Sequence, residues 1–461
     1  MALPVPIRRM TSLDAAFLYL ERRHAPLHVG CVIRLDRPLS LDGLLRHLGS
    51  RLPQLARLQQ RAVPAPLSLA HPTWEDAPDF DVSDHVERWT VCRPGGEREL
   101  GELVATLMAR PLDLARPMWE AHLLDELRDG SSALLIKVHH CVIDGVSGAA
   151  LLDGLLEATP RSTPRHAAPP LPRKESGIPS RAASAAASAL VDPARLAARA
   201  LGVLREPAAM RRSRDALRDA ASLALSTALG SEARLPWNAP VGRRRRLAFL
   251  RFSLADARWI RSAYGGTIND VVLTALAGGL RRYLQATGAP LRDAALHALV
   301  PVSIREPGAE GTLGNRLSAV RVPLAVTPES ELDRLAATCA AMEALKARRA
   351  FDGIALLVGA IELLPAPLLA LGASSAPLAM VAHLVATNVP GPRERRYLAG
   401  RAVKAIHAIA PITDGMGLSV AVFSYAGWLH FSLHADADLL PDLDKLGAGV
   451  EETLAALRAG P

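Results

Sequence analysis

The sequence predicts an α/β protein of two domains, each alternating strands with helices, joined by a long helical crossover linker. Three observations carry this. At 461 residues the chain is longer than one ordinary hydrophobic core supports. Short β-prone apolar runs alternate with helix-period segments over residues 1–158 and again over 247–461. Between them, residues 159–246 change character. They open on Thr159-Pro160-Arg161-Ser162-Thr163-Pro164 and Ala168-Pro169-Pro170-Leu171-Pro172, which is linker chemistry.

In the first part, residues 29–35 read as a strand, 41–52 and 102–110 as helices, and 119–124 and 133–138 as strands. Residues 146–157 carry Ala149, Leu151, Leu152, Leu155 and Leu156 at helical spacing. Within the linker, Asp192-Pro193 supplies a cap and a first-turn proline for a helix running to about residue 206. Arg195, Arg199 and Arg205 against Leu196, Val203 and Leu204 make that helix basic and amphipathic. It suits a connector packed on both domains, and equally a segment lying on an anionic lipid surface. In the last part, 267–284 is a strong helix, 298–304 and 317–323 are strands, and 329–348 is a helix. Residues 381–387 lead into a turn at Asn388-Val389-Pro390-Gly391-Pro392. Residues 418–425 and 428–434 form a hairpin about Ala426-Gly427.

With 49% hydrophobic and 22% charged residues, the chain is a packed globular protein and not a disordered one. Aromatics are only 4%, so the core must be aliphatic. The net charge of +8 favours phosphate-bearing partners such as coenzymes and lipid head groups. Only five of the 54 basic residues are lysines, however, which a GC-rich coding bias also gives. No basic stripe interleaved with aromatics accompanies the charge, so no nucleic-acid partner is expected. Cys31, Cys92, Cys141 and Cys339 are far apart and lack metal-ligand spacing, which fits a reduced, cytoplasmic setting. Arg8 and Arg9 soon meet Asp14 and Glu21, leaving no room for a signal peptide. Residues 363–382 carry no charge, but Pro365, Pro367 and Pro377 and the run Gly372-Ala373-Ser374-Ser375 break them. Short buried or interfacial helices are expected there instead of a spanning one. The wider apolar zone 354–382 could line an acyl tunnel, or equally be ordinary core.

The segment richest in chemistry is His139-His140-Cys141-Val142-Ile143-Asp144-Gly145. It sits between the strand 133–138 and the helix 146–157, where a turn presents side chains to a cleft. A histidine fixed there can act as a general base near neutral pH. A serine hydrolase is excluded, because Gly145-Val146-Ser147-Gly148 lacks the spacing of a nucleophile elbow. A zinc site is excluded by the lack of His-Glu-x-x-His or clustered cysteines and histidines. Gly278-Gly279 lies inside a helix, so no phosphate-cradling loop is present either. What remains is a histidine base with no evident protein nucleophile. Such a base would deprotonate a bound hydroxyl or amine that attacks an activated acyl group directly.

These residues resemble the HHxxxDG signature of the CoA-dependent acyltransferase superfamily, and further blocks narrow the resemblance. Leu13-Asp14-Ala15-Ala16-Phe17-Leu18 with Pro26-Leu27-His28-Val29-Gly30 is similar to the opening of bacterial wax ester synthase/diacylglycerol acyltransferases. Pro111-Leu112-Asp113 with Arg116-Pro117-Met118-Trp119-Glu120 is similar to their Pro-Leu-Trp block, with Met118 in place of leucine. Asn269-Asp270-Val271-Val272-Leu273, Leu313-Gly314-Asn315-Arg316, Thr387 to Pro392 and Gly417 to Tyr425 resemble further blocks. The likeness covers nearly the whole chain outside the linker.

The resemblance implies mixed sheets flanked by helices in both domains, with the active site between them. It implies His140 as the base, acting on the hydroxyl of a long-chain alcohol or a diacylglycerol that attacks an acyl-CoA thioester. His139 is expected in a supporting role, and Asp144 to brace the turn through an arginine, with Arg305 the candidate. Gly145 would let the chain turn tightly. Asn269, at a helix start with Asp270, could meet a developing oxyanion or simply cap the helix. Pro111, Trp119 and Asn315 are expected to shape the cleft. Cys141 is not expected to be a nucleophile. Acyl-CoA is a co-substrate and no metal or bound cofactor is required. A peripheral membrane or lipid-droplet location and a homodimer are compatible with this reading. The alternatives left open are acylation of a polyketide or other lipid acceptor, and a non-catalytic protein that only binds lipid surfaces.

Overall fold

The computed structural model describes residues 8–66, 69–143, 145–160, 235–288, 296–303, 317–347, 366–375 and 382–460. The elements of the first half run β1 (Arg8–Arg9), α1 (Ser12–Leu20), β2 (His28–Leu35), α2 (Leu41–Arg51), β3 (Gln60–Val63) and β4 (Thr73–Asp76). They continue with β5 (Val86–Thr90), α3 (Glu97–Ala109), β6 (Trp119–Asp125), β7 (Ala133–His139) and α4 (Gly145–Leu155). The second half begins β8 (Arg245–Ser253), α5 (Leu254–Tyr264), α6 (Ile268–Ala286), β9 (His297–Ser303), β10 (Leu317–Pro323), α7 (Glu331–Ala347) and α8 (Ala366–Ser375). It ends β11 (Leu384–Pro390), β12 (Tyr397–Leu398), β13 (Arg401–Ile409), β14 (Leu418–Tyr425), β15 (Trp428–Asp436) and α9 (Leu443–Ala459).

Two six-stranded mixed sheets organise the molecule. The first has the order β12-β13-β2-β7-β6-β5, the second β10-β9-β11-β14-β15-β8, and β1-β4-β3 forms a small third sheet. Sheet membership is not contiguous along the chain. Residues 397–409 leave the second half to pair with β2, where Ile406 lies opposite Ile33 and Ile409 opposite Gly30. Phe423 and Tyr425 of β14 likewise pack into the first core. The halves are thus laced together by backbone hydrogen bonds and shared apolar area.

The expected elements 29–35, 41–52, 119–124, 133–138, 317–323 and 418–425 lie within a residue or two of the observed ones. The turn expected at Asn388-Val389-Pro390 is strand instead. β11 runs to Pro390 because it is parallel to β14, with Asn388 opposite Val422, and proline ends the ladder by lacking an N–H. Gly391 follows, and a Cβ there would come within 2.3 Å of the Phe423 ring. The pair Gly278-Gly279 inside α6 has a packing reason as well. A Cβ on Gly279 would lie 2.6 Å from Val450 Cγ2 of α9, so the glycines let the two helices touch. The linker helix from Asp192, and most of the zone 354–382, lie outside the described residues.

A buried ion pair, Arg51 to Glu157, ties α2 to the end of α4. Among the described residues no helix is long and apolar enough to cross a membrane.

Candidate active site

The histidine pair lies at the strand-to-helix junction, with β7 ending on His139 and α4 beginning on Gly145. Neighbouring strands pin its backbone on both sides. The His139 N–H donates to the Met118 carbonyl (3.0 Å) ahead of β6, and the His140 N–H donates to the Leu27 carbonyl (2.8 Å) ahead of β2.

The two rings meet different surroundings. His139 is fully buried, and its Nδ1 accepts the Cys141 N–H (3.1 Å). That leaves the proton on Nε2, which faces Glu21 Oε2 at 3.3 Å. Glu21 Oε1 in turn accepts the Leu27 N–H (3.2 Å). His140 is half-buried, and its ring lies flat on Phe17, with centroids 4.0 Å apart and planes within 7°. Cys141 is buried beside Met118, and burial pushes its thiol well above the ordinary range, so it stays protonated.

A cleft elsewhere in the molecule is walled by α6. Thr267 caps this helix by accepting the Asp270 N–H (3.2 Å). Asp270 Oδ2 returns bonds from the Thr267 N–H (2.7 Å) and hydroxyl (2.9 Å), closing a capping box. The cap role that Asn269 could have filled therefore falls to Thr267, and the buried Asp270 locks the helix start. Asn269 lines a small, mostly apolar cleft instead, with Val272, Leu273 and Leu276. Opposite stand Thr387 and Asn388 of β11 and Val422 of β14. β11 also packs against α4, the helix that opens on Gly145, so the cleft strand and the histidine turn share a neighbour.

Other expected site residues are placed elsewhere. Trp119 is buried in the first core, its indole N–H donates to the Leu58 carbonyl (2.7 Å), and its ring stacks on His85 at 4.6 Å. Pro111 is exposed just after α3. Neither is among the residues lining the Asn269 cleft. The service of that block is indirect, since its Met118 carbonyl, just ahead of β6, holds His139. Asp144, Arg305 and Asn315 lie outside the described residues.

Sequence reasoning missed four supports. Phe17 and Glu21 come from the end of α1. Lys137, fully buried, donates to the carbonyls of Leu107 (3.1 Å) and Arg110 (3.0 Å) at the end of α3 and pairs with Glu120 at 2.7 Å. Burial would raise the Glu120 carboxyl, but the His122 hydrogen bond and the Lys137 charge hold it at about 2. His28 donates to the Met108 carbonyl (2.5 Å) on the same helix end. A lone lysine inside the apolar run Ala133–His139 was the available signal.

Two mixed α/β halves, the second of which lends strands to the first sheet, with a histidine pair turning from strand to helix, define a CoA-dependent acyltransferase fold. Residues 10–272 match the wax ester synthase/diacylglycerol acyltransferase catalytic domain, and residues 313–458 match the C-terminal domain of the same family. The chain belongs to the wax ester synthase/diacylglycerol acyltransferase family, whose members are acyl-CoA-dependent acyltransferases. It is 33% identical over 470 residues to a putative diacylglycerol O-acyltransferase of Mycobacterium bovis, covering 98% of this chain and 96% of the relative. A probable diacylglycerol O-acyltransferase of Mycobacterium tuberculosis matches to the same extent. Among solved structures, the wax ester synthase/diacylglycerol acyltransferase from Marinobacter aquaeolei VT8 superposes with a TM-score of 0.69 at 25% identity, covering 98% and 99% of the two chains. The first condensation domain of the calcium-dependent antibiotic synthetase shares the fold, with a TM-score of 0.61 at 19% identity, covering 99% and 97%.

Proposed function

We propose that the protein transfers a long-chain fatty acyl group from acyl-CoA to the hydroxyl of a diacylglycerol, and to long-chain alcohols as secondary acceptors. The observation that carries this is the half-buried, stacked His140 ring at the end of β7, next to a thiol too protonated to serve as a nucleophile. His140 takes the acceptor proton as the oxygen attacks the thioester carbonyl. The carbon–sulfur bond breaks, and the departing CoA sulfur receives the proton back from His140. A thioester is already activated, so orientation and a well-placed base supply much of the rate. Asn269, on the first turn of α6, offers its amide and the helix N-terminus to the developing oxyanion, and the apolar cleft behind it suits the start of an acyl chain. The diacylglycerol preference leans on the names of the mycobacterial relatives.

A lipid surface supplies both hydrophobic substrates in this reading. α8 bears no charge and presents Leu368 (57% exposed) and Leu371 (65% exposed) while packing on α1, next to the site. The test is an assay of purified protein with palmitoyl-CoA plus dioleoylglycerol, hexadecanol or neither, following released thiol and lipid products. Acceptor-dependent release, greatest with dioleoylglycerol and abolished in His140→Ala, is expected. Full activity in His140→Ala would sink the proposed base, and a preference for hexadecanol would reverse the order of acceptors.

A further inference from the structure

α1 meets the active-site turn at two points. Phe17 lies flat on His140, and Glu21, directly after the last residue of the helix, reaches both His139 Nε2 and the Leu27 N–H. The Leu27 carbonyl holds the His140 N–H, and His139 Nδ1 holds the Cys141 N–H. Glu21, Leu27, His140, Cys141 and His139 therefore form a closed circuit of polar contacts around the turn. The helix that feeds this circuit is fixed at both ends. Thr11 accepts the Asp14 N–H (3.0 Å) at its start. At its end the Arg22 guanidinium donates to the carbonyls of Tyr19 (3.0 Å), Leu20 (3.2 Å) and Glu21 (3.0 Å).

A partly buried imidazole can still sample more than one rotamer unless its neighbours hold it. A general base must keep its nitrogen within hydrogen-bond reach of the hydroxyl it serves, and a misplacement of about 1 Å costs on the order of 10²-fold in rate. A face-to-face contact with planes within 7° restrains tilt of the ring. We propose that α1 is the positioning element of this active site. Phe17 sets the plane of the His140 imidazole, and Glu21 sets the backbone turn from which it projects. The inference rests on the reading of His140 as the base.

The test compares Phe17→Leu, Phe17→Met and Phe17→Tyr, with Glu21→Ala, Glu21→Gln and His140→Ala alongside, by thiol release from palmitoyl-CoA with dioleoylglycerol. kcat and KM are read separately, and melting temperatures confirm folding. Removing the flat ring, as leucine or methionine, lowers kcat about tenfold or more while KM for palmitoyl-CoA stays within about twofold, because the loss lies in orientation and not in binding. Tyrosine keeps the stack and retains at least about a third of the wild-type kcat. Glu21→Ala falls comparably, and Glu21→Gln recovers part of it, since its amide oxygen still accepts from Leu27. Should leucine prevent folding, the longer methionine side chain carries the comparison. Wild-type kcat in Phe17→Leu or Phe17→Met beside an inactive His140→Ala would overturn the positioning role alone, as would equal losses in all three Phe17 variants. An active His140→Ala would remove the base and this inference with it.

Discussion

The molecule holds two groups of histidines under opposite conditions. At the end of β7, His139 is buried with Nδ1 accepting the Cys141 N–H and Nε2 facing Glu21, and His140 beside it stays half-buried with one face against Phe17. Where β13 of the first sheet crosses β15 of the second, His407, His430 and His434 are all buried. His407 and His430 meet ring to ring at 5.0 Å, and His434 donates to the Ala410 carbonyl (2.8 Å). Neither nitrogen of His430, nor Nε2 of His434, has a well-formed hydrogen bond among the described residues. Burial holds His430 and His434 down to about 4 and His407 to about 3, helped by the charges of Arg251 on His430 and Arg245 on His434. One site leaves a ring partly exposed and stacked on Phe17, where we propose that it exchanges a proton. The other keeps its rings neutral between two sheets, where they fill space. Residue type is the same, so accessibility and orientation separate the proposed base from a spacer.

The contrast can be broken most severely at His140. Its replacement by alanine is expected to lower kcat by about 10²–10⁴-fold, the usual worth of a positioned general base, with little change in melting temperature. A large loss of stability with modest loss of rate would make His140 a spacer like the others.

The seam histidines should instead reveal themselves in stability. Unfolded, they take up protons near 6.5, and folded only near 4 or 3, so the unfolded state binds more protons in between. Their contribution is complete above about pH 7 and is lost as pH falls from about 6.5 toward 4. Glu120, held at about 2, adds its own loss only below its ordinary value of 4.5. Melting temperature measured from pH 7.5 to 5.0 should fall by several degrees, and a flat profile would contradict this reading of the seam.

A smaller effect sharpens the same point. His430→Leu removes two poorly satisfied buried nitrogens, each of which carries a desolvation cost of roughly 1–3 kcal/mol. The variant should melt at the same temperature or a few degrees higher and lose part of its acid sensitivity, while its kcat stays within about twofold of wild type. Destabilisation by several degrees would mean that the seam contacts are worth more than they cost. The smallest change is expected from Cys141→Ala, where a buried, protonated thiol is replaced. kcat should remain within about twofold with an unchanged melting temperature, and inactivation would point to a thiolate role.

Much of the fold was legible because its signals are local. The hairpin Leu418–Tyr425 and Trp428–Asp436 follows from alternating apolar residues around Ala426-Gly427, and the strand-turn-helix around His140 follows from an apolar run meeting helical spacing. β13 was missed because its partner is β2, more than 350 residues earlier, and nothing local in Arg401–Ile409 names that partner. α1 has only nine residues, and its worth lies in Phe17 and Glu21 touching a turn far along the chain. Trp119 is the reverse case. An aromatic residue in a family block suggests a cleft, whereas the indole N–H and ring are both committed inside the first core.

Direct transfer, with His140 as base and no protein nucleophile, is the central claim, and a rapid-mixing experiment addresses it most directly. Enzyme at substrate-level concentration is mixed with palmitoyl-CoA, without and then with dioleoylglycerol, while thiol release and the intact protein mass are followed. Direct transfer predicts no stoichiometric burst of thiol without acceptor, no mass increase of the protein, and release that begins when dioleoylglycerol is added. A burst equal to the enzyme concentration, with one palmitoyl group added to the protein, would contradict it.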